Sequence, residues 1–355
     1  MIAGAAAMLC LLGLVMVLSA TTVKSTNEYG TAWYYFRRQA GWLAAGMIAL
    51  VLTLKVGHRR LRPLVPIGLA TAVGGLLLVL VPTPISKGPV NGSRRWLSFG
   101  STNLQPSEIA KLAVILWVAA LLTERVSELH DWRRTILPIG VGTLAVAGLI
   151  LAEPDLGTAV VLCTIVAAML LVGGARLDVM GLAGAPVLVG LTFIAFTGYH
   201  AERWSFLDPL KDAGNTNYQL TGALSSVASG GWFGVGPGAS TAKWGYLPEA
   251  HTDAVFAVIG EELGVVGCLA VVALYLALLG AGMRVARRVT DRFGSLVAIG
   301  ITMWIGMQAF VNMGVTVGIL PNKGFTLPFV SYGGSSLLVM LVATGVLLSI
   351  AKESA

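Results

Sequence analysis

The chain has 355 residues, of which 56% are hydrophobic and 12% are charged, and its mean hydropathy is +0.80. Soluble globular domains carry about a quarter charged residues, so this composition excludes a soluble protein and predicts an integral membrane protein. The net charge of +7 is interpreted as basic loops that orient membrane helices. Nucleic-acid binding is not expected, because no basic cluster alternates with exposed aromatic residues.

Apolar stretches long enough to cross a membrane recur along the whole chain. A spanning helix needs about 20 mostly apolar residues. The cysteines Cys10, Cys163 and Cys268 lie inside such stretches and are interpreted as small buried residues. The predicted fold class is an all-α integral membrane protein, a polytopic bundle of ten transmembrane helices that forms one domain over residues 1–355. The predicted spans are 2–20, 40–56, 64–82, 106–123, 135–152, 158–173, 179–198, 254–282, 295–318 and 337–351.

Short basic turns alternate with longer polar loops between these spans. Ten spans place both termini on one side, and basic short loops face the cytoplasm, so both termini are predicted to be cytoplasmic. The other loops, including one long extracytoplasmic loop over about 199–253, then face outward. A site on that face cannot rely on ATP, and the sequence has no phosphate-binding loop of the P-loop type. The basic turns are 55–62, 125–134, 176, 284–292 and 352.

Two charged residues stand inside the fourth predicted span. Glu108 and Lys111 are three residues apart, and the helix that carries them begins at Pro106. Residues at this spacing share a helix face. Charges at membrane depth are costly and mark functional sites. The pair is therefore interpreted either as a structural ion pair or as a substrate-binding pair, and both roles can coexist.

Polar residues of the outer loops are candidates for substrate binding, each with a structural alternative. Arg94 and Arg95 precede Trp96 and could instead lie at lipid headgroups. Asp155 could cap the next helix, and His251 could cap the eighth span. The irregular stretch before the last span is expected to line a cavity. The remaining candidates are Arg203, Lys323, Ser331 and Ser335.

Asp253 stands where the long polar loop meets the apolar eighth span. A carboxylate in a partly desolvated site can serve as a general base, and cations of the outer loops could hold an anionic leaving group. This combination suits group transfer from a lipid-linked phosphate. It also suits a lipid or ion transporter, so the pattern alone leaves both classes open. Glu261 and Glu262 follow two turns later and are interpreted as shaping the eighth span.

Seven motifs, in order along the chain, resemble the SEDS family of membrane proteins (shape, elongation, division, sporulation). Three local patterns, at 90–95, 248–251 and 321–328, resemble the division branch more than the elongation branch. One departure is Asp253-Ala-Val-Phe, where the family has Asp-Phe-Ile-Phe; the acid is retained. The motifs are Asn91-Gly-Ser-Arg-Arg-Trp, Gln105-Pro-Ser-Glu-Ile-Ala-Lys, Glu153-Pro-Asp-Leu-Gly-Thr, Ser229-Gly-Gly-Trp-Phe-Gly-Val-Gly, Leu247-Pro-Glu-Ala-His-Thr-Asp, Phe256-Ala-Val-Ile-Gly-Glu-Glu-Leu-Gly and Leu327-Pro-Phe-Val-Ser-Tyr-Gly-Gly-Ser-Ser.

The resemblance implies a peptidoglycan glycosyltransferase of the bacterial cytoplasmic membrane that polymerises lipid II. In this interpretation Asp253 is the general base, the glycan strand grows at the outer face, and undecaprenyl pyrophosphate leaves. Arg94, Arg95 and Lys111 are the first candidates for stabilising the pyrophosphate, and Arg203 and Lys323 are weaker ones. The expected partners are a class B penicillin-binding protein, other division proteins and membrane lipids.

Two other functions are weighed against polymerisation. A lipid II flippase would use an intramembrane charge pair, and a non-catalytic division scaffold would need no base at Asp253. No metal-ligand set can be identified in the sequence. A divalent cation, Mg²⁺ or Mn²⁺, shared by a carboxylate and a pyrophosphate is left open as a cofactor.

Overall fold

A computed structural model describes residues 1–88, 93–100, 102–128, 131–175, 177–196, 217–321 and 324–353. Twelve α-helices, three short 3₁₀ helices and one two-stranded antiparallel hairpin occur in these ranges. The helices are α1 (Ile2–Tyr29), α2 (Tyr34–Val56), α3 (His58–Leu61), α4 (Val65–Leu80), α5 (Pro106–Glu124), α6 (Ile136–Ala152), α7 (Leu156–Val172), α8 (Leu177–Phe196), α9 (Tyr218–Gly230), α10 (Val255–Arg288), α11 (Arg292–Thr316) and α12 (Gly334–Glu353). The strands are β1 (Leu97–Phe99) and β2 (Thr102–Leu104).

A helix lies over each of the ten predicted spans. Among the residues that the structure describes, seven helical stretches are long and apolar enough to cross a membrane, with α3 and α4 forming one stretch, His58–Leu80. Two further apolar helices, α6 and α7, have 17 residues each. The prediction of a polytopic helical membrane protein is therefore confirmed. The count of ten crossings and the side on which each loop lies stay predictions.

The helix boundaries follow from local chemistry. α1 ends at Gly30, whose φ of 69° is left-handed, a conformation that glycine adopts without strain. α5 begins with Pro106, which suits the first turn because proline has no N–H to satisfy there. α7 begins after Asp155, whose side chain accepts a hydrogen bond from the backbone N–H of Thr158. The local signals at these helix ends therefore agree with the fold.

The structured residues form two compact units, each assembled from three stretches of the chain. Unit 1 comprises Met1–Ala45, Phe196–Leu279 and Ile305–Leu337. Unit 2 comprises Gly46–Ala195, Gly280–Trp304 and Leu338–Ala355. The single domain expected from the sequence stays a prediction.

Two features of the fold differ from the sequence-based expectation. The long loop contains a helix, α9, which buries Leu220, Ala223, Ser226 and Gly230 along one face. Its small and polar residues give little apolar periodicity, so it was expected to be loop. The eighth span is also broken, because Gly264 within α10 has a non-helical φ of 67° and ψ of −167°.

Candidate functional site

The turn that carries Asp253 is built around Glu249 in unit 1. Glu249 has a φ of 51°, and its carbonyl oxygen accepts hydrogen bonds from the N–H groups of Thr252, Asp253 and Ala254 at 3.1–3.3 Å. Within this tight turn, Asp253 lies two residues before the start of α10. Asp253 is half-buried there, with its carboxylate at the start of the helix. The expected position of Asp253, at the mouth of a helix, is confirmed.

A second segment, 324–333, packs beside this turn and is held from several helices. Asn312 of α11 donates one hydrogen bond to the Asp253 carbonyl oxygen (2.8 Å) and another to that of Phe325 (2.5 Å). Gln308, one turn earlier, donates to the carbonyl oxygen of Thr326 at 3.1 Å. These bonds fix the spacing between the Asp253 turn and segment 324–333.

Gly324 lies beside the Asp253 carboxylate. A Cβ atom at residue 324 would lie 2.5 Å from Oδ2 of Asp253, closer than van der Waals contact allows. The absence of a side chain at this residue therefore sets where the carboxylate can lie. Glu249, Asn312 and Gly324 were not among the sequence-based candidates. The only available signal for Gly324 was its place in the 321–328 pattern.

His251 lies in an aromatic cluster two residues before Asp253. Its ring centroid is 5.4 Å from that of Tyr35 and 5.6 Å from that of Tyr332. Its carbonyl oxygen accepts a hydrogen bond from the N–H of Tyr332 at 2.9 Å. The side chain is buried, so it ties the Asp253 turn to α2 and to segment 324–333.

The environment of His251 keeps its imidazole neutral. Burial, and to a smaller extent the nearby Lys24 cation, lower the pKa of His251 from 6.5 to about 4, against the opposing charges of Glu249 and Glu28. A neutral ring cannot contribute positive charge toward an anionic ligand near pH 7. The geometry therefore favours packing for His251, and its substrate contact stays a prediction.

The two predicted serines lie in a well-packed part of unit 1. Ser331 accepts a hydrogen bond at Oγ from the N–H of Leu327 (2.8 Å), and its carbonyl oxygen accepts one from the Gln39 side chain (3.1 Å). Phe329, which lies between Leu327 and Ser331 in the chain, has a φ of 68°. Ser335 is buried at the start of α12. Irregular backbone before the last span was expected, and the structure shows it as a turn hydrogen-bonded on several sides.

Glu261 and Glu262 anchor the loop that follows α9. Glu261 accepts hydrogen bonds from the Ser240 hydroxyl (2.6 Å) and from both the N–H and the hydroxyl of Thr241 (2.7 Å each). Glu262 accepts hydrogen bonds from the Ser19 hydroxyl of α1 and from the N–H of Ser240. Both carboxylates are buried. Their interpretation as structural residues agrees with these contacts.

In unit 2, Arg95 braces the turn between α6 and α7. Its guanidinium donates hydrogen bonds to the carbonyl oxygens of Glu153 (3.3 Å) and Pro154 (2.6 Å), and its Nη1 lies 3.6 Å from Oδ2 of Asp155. Asp155 also accepts hydrogen bonds from the N–H and hydroxyl of Thr158, at 3.1 and 2.8 Å. The capping alternative for Asp155 is therefore observed. Substrate roles for Arg95 and Asp155 stay predictions.

Glu153 is buried in this turn without a hydrogen-bond partner. Its side chain is 0% exposed, and neither carboxyl oxygen has a partner among the described residues. Burial raises its pKa to about 8, with repulsion from Asp155 adding to the effect and Arg95 opposing it. Glu153 was not among the predicted site residues, although it begins the Glu-Pro-Asp-Leu-Gly motif.

The predicted charge pair inside the fourth span forms within unit 2. Nζ of Lys111 lies 2.8 Å from Oε1 of Glu108, and both side chains are buried. The same ammonium lies 5.0 Å from the ring centroid of Trp304, a distance at which cation–π attraction acts. The pair is thus formed as expected, and its role toward a substrate stays a prediction.

Three predicted cations have few or no described contacts. Arg94 is half-exposed and pairs with no carboxylate in the part of the chain that the structure describes. Arg203 and Lys323 lie outside the described residues. Within the described ranges, no three His, Cys, Asp or Glu side chains cluster so that they could hold a metal ion. The divalent-cation question stays open.

A model of the FtsW/RodA/SpoVE family, described as cell cycle protein, matches residues 1–355. A probable peptidoglycan glycosyltransferase FtsW of Nitrosococcus halophilus is 42% identical over 359 residues, covering 99% of this chain and 91% of that protein. A protein of the same name from Thioalkalivibrio sulfidiphilus is 42% identical, covering 97% of this chain and 86% of its own length.

Solved structures agree with this relationship. A chain from work on the structural coordination of polymerization and crosslinking by a peptidoglycan synthase complex matches with a TM-score of 0.77 and 30% identity, covering 97% of this chain and 96% of that chain. The rod shape determining protein RodA of Thermus thermophilus matches with a TM-score of 0.72 and 30% identity, covering 99% and 95%. The chain therefore belongs to the FtsW/RodA/SpoVE family of cell cycle proteins, which confirms the resemblance seen in its motifs.

Proposed function

We propose that this protein is a peptidoglycan glycosyltransferase that polymerises lipid II at the outer face of the bacterial cytoplasmic membrane during division. The observation that carries the proposal is the half-buried carboxylate of Asp253, held at the mouth of α10 by the Glu249 turn and by Asn312. A fixed, partly solvated carboxylate can take a proton from a hydroxyl group in its reach. The names of the full-length relatives supply the reaction class.

The reaction follows as a single displacement. Asp253 removes the proton of the 4-hydroxyl group on the acceptor GlcNAc, and the freed oxygen attacks the anomeric carbon of the donor MurNAc. The bond to undecaprenyl pyrophosphate breaks, and the pyrophosphate leaves with the electron pair. An α-linked donor then gives a β-1,4 product with inversion, for which one base suffices. Cleavage of the bond between the anomeric carbon of MurNAc and the pyrophosphate provides the driving force, so no ATP is needed.

Charged residues other than Asp253 are proposed to assist in different ways. Lys111 and Arg94 are candidates for contact with phosphate oxygens, as are Arg203 and Lys323. Arg95 is proposed to act through the turn that it braces, because its donors already bind the carbonyl oxygens of Glu153 and Pro154. A divalent cation, Mg²⁺ or Mn²⁺, is proposed as a requirement to be tested.

The proposed partner is a class B penicillin-binding protein that crosslinks the strands. The match to a chain of a peptidoglycan synthase complex supports an assembly of this kind. Contact through a transmembrane helix needs only a packable lipid-facing surface. The division role is preferred to elongation because the FtsW relatives are 42% identical, against 30% for RodA.

One observation favours a second function, a lipid II flippase. The Glu108–Lys111 pair is buried inside a spanning helix, and buried charges of this kind also mark transport pathways. The two functions predict different effects of changing Asp253, because transport needs no base at the mouth of α10.

The deciding experiment measures glycan strands made from lipid II by the purified protein with its penicillin-binding partner. Wild-type protein is expected to make long strands, and Asp253→Asn, which keeps shape but removes the base, is expected to make none. Parallel reactions with EDTA test the metal. The proposal fails if no strands form under any condition while cells carrying Asp253→Ala still grow.

A further inference from the structure

The tip of the long loop, Gly231–Gly236, is joined to the broken helix α10. The N–H groups of Val235 and Gly236 donate hydrogen bonds to the carbonyl oxygens of Glu261 and Glu262, at 2.9 and 3.1 Å. In return, the N–H groups of Val265 and Val266 donate to the carbonyl oxygens of Gly231 and Trp232, at 3.0 and 3.2 Å. The tip thus replaces the helical bonds lost at the break, and its position along α10 is fixed.

The length of α10 sets the level of this tip in the membrane. Basic residues mark the other end of the helix, where Arg284 is the first and is exposed. Gly264 lies twenty residues before Arg284, which corresponds to about 30 Å at 1.5 Å per residue. The hydrocarbon core is also about 30 Å thick. With Arg284 at one boundary, the break and the tip lie at the opposite boundary of the core.

The tip exposes two large aromatic side chains at this level. Trp232 is 68% exposed and Phe233 is 84% exposed. Val266 and Leu269, just beyond the break on α10, are also exposed and belong to a helix that crosses the membrane. The aromatic residues therefore continue a lipid-facing surface. Tryptophan is enriched at this boundary because its ring is apolar and its N–H can still reach water or headgroups.

We infer that Trp232 and Phe233 insert into the interface of the outer lipid leaflet and anchor the long loop to the membrane. The occupant of this exposed patch is phospholipid, at the border of headgroups and acyl chains. Insertion of the two aromatic residues holds the tip at the membrane. Glu261 and Glu262 accept hydrogen bonds from Ser240, which follows the tip in the chain. Together they fix the end of α9 and the return of the chain toward Asp253.

The test measures the lipid exposure of the tip with a fluorescent label. Cys10, Cys163 and Cys268 are replaced, and Phe233→Cys is labelled with an environment-sensitive fluorophore in the full chain. The protein is reconstituted into vesicles of phosphatidylcholine and phosphatidylglycerol. Lipids with a nitroxide near the headgroup are expected to quench this label several-fold more than a water-soluble quencher does.

Tyr246→Cys is the matched control. Tyr246 is also an exposed aromatic residue, at 68%, and its carbonyl oxygen would be 3.0 Å from a Cβ atom at Gly222. Gly222 lies eight residues before the end of α9, about 12 Å away along the helix. A label at residue 246 is therefore expected to respond mainly to the water-soluble quencher.

The inference is overturned if labels at residues 233 and 246 respond alike, or if the label at 233 is shielded only when a partner protein is added. If Phe233→Cys does not fold, Trp232→Cys or Val235→Cys reports on the same tip. All three side chains are exposed, so at least one labelled variant is expected to retain the fold.

Discussion

The Asp253 carboxylate has little room on the side of Gly324. Because a Cβ atom there would lie 2.5 Å from Oδ2, we predict that Gly324→Ala displaces the carboxylate and lowers strand synthesis at least tenfold. A small misplacement of a catalytic group has this effect on a rate. Folding should change little, since the displaced atom ends a side chain. Strand synthesis and the thermal midpoint in detergent are the measurements.

Gly333→Ala provides the control for this change. Its Cβ atom would meet Thr326 and Ser336 at 3.4 and 3.6 Å, which is ordinary contact. It lies in the same segment, so it tests whether any added methyl group there is harmful. Equal activity in the two alanine variants would contradict a specific effect on Asp253.

The buried acid Glu153 gives a prediction of pH dependence. Its pKa rises from 4.5 to about 8, so the folded protein holds this proton more tightly than the unfolded chain does. Its contribution to stability is complete below pH 4.5 and is lost as the pH rises toward 8. Glu153→Gln cannot ionise. We predict that it melts at a higher temperature than wild type at pH 8 and at a similar temperature at pH 4.5.

Thermal midpoints of both proteins across this pH range measure the difference. A few pKa units correspond to a difference on the order of a few kcal/mol. Glu124→Gln is the control, because Glu124 is exposed on α5 and pairs with Arg62 at the surface. A constant gap between wild type and Glu153→Gln at every pH would show that Glu153 is not protonated in the folded state.

Single residues were predictable where the sequence alone shows a charged group in or next to an apolar span, because placing a charge there costs free energy. An acid at a helix mouth and a charge pair three residues apart needed no structure, and Asp253, Glu108 and Lys111 lie as expected. Arg95 could not be assigned, because its hydrogen bonds go to carbonyl groups brought close only by folding. Gly324 was hidden for the same reason, since its importance depends on which atom lies opposite.

At the scale of the helices, the break in α10 is sensitive to substitution of Gly264. Gly264 has a φ of 67° and ψ of −167°, a conformation essentially restricted to glycine. A Cβ atom there would lie 2.4 Å from the backbone nitrogen of Gly234. We predict that Gly264→Ala costs at least about 1–3 kcal/mol from backbone strain, with a further cost from this clash. The yield of folded protein and its thermal midpoint should both fall.

Gly280→Ala on the same helix is the matched control. No atom lies within 4 Å of a Cβ at this residue, and alanine favours a helix over glycine. The control should therefore be as stable as wild type or slightly more stable. If Gly264→Ala folds equally well, the break is not required by the loop tip.

Helices were predictable as elements, but their interruptions were not. Each predicted apolar stretch coincides with a helix of the structure, because burial in lipid demands continuous apolar sequence. In α10 apolar stretches resume on both sides of Glu261, Glu262 and Gly264, so the apolar pattern predicts one continuous helix and not a broken one. The break can be seen only in the structure, where the tip Gly231–Gly236 makes the hydrogen bonds that the helix lacks at Gly264. α9 was missed because glycine and serine weaken the apolar pattern of a helix.

At the scale of the whole molecule, membrane sidedness can be tested directly. We predict that Lys87→Cys reacts with a membrane-impermeant thiol reagent in cells whose outer envelope has been removed and whose cytoplasmic membrane is intact. Arg60→Cys should react only after the membrane is permeabilised. Both side chains are exposed, so the membrane alone separates them, as expected for basic turns on the cytoplasmic side. Labelling of Arg60→Cys in unbroken cells would contradict the ten-span topology.

Each of the two units combines stretches that are far apart in the chain. Unit 1 draws on residues near both ends of the chain, up to Leu337, and unit 2 ends at Ala355. During synthesis, neither unit can be completed until the last helices have been made. Segment 324–333, which lies beside Asp253, is among the last to be synthesised, so a chain that stops early carries Asp253 without this segment. The proposed strand synthesis therefore requires an almost complete chain.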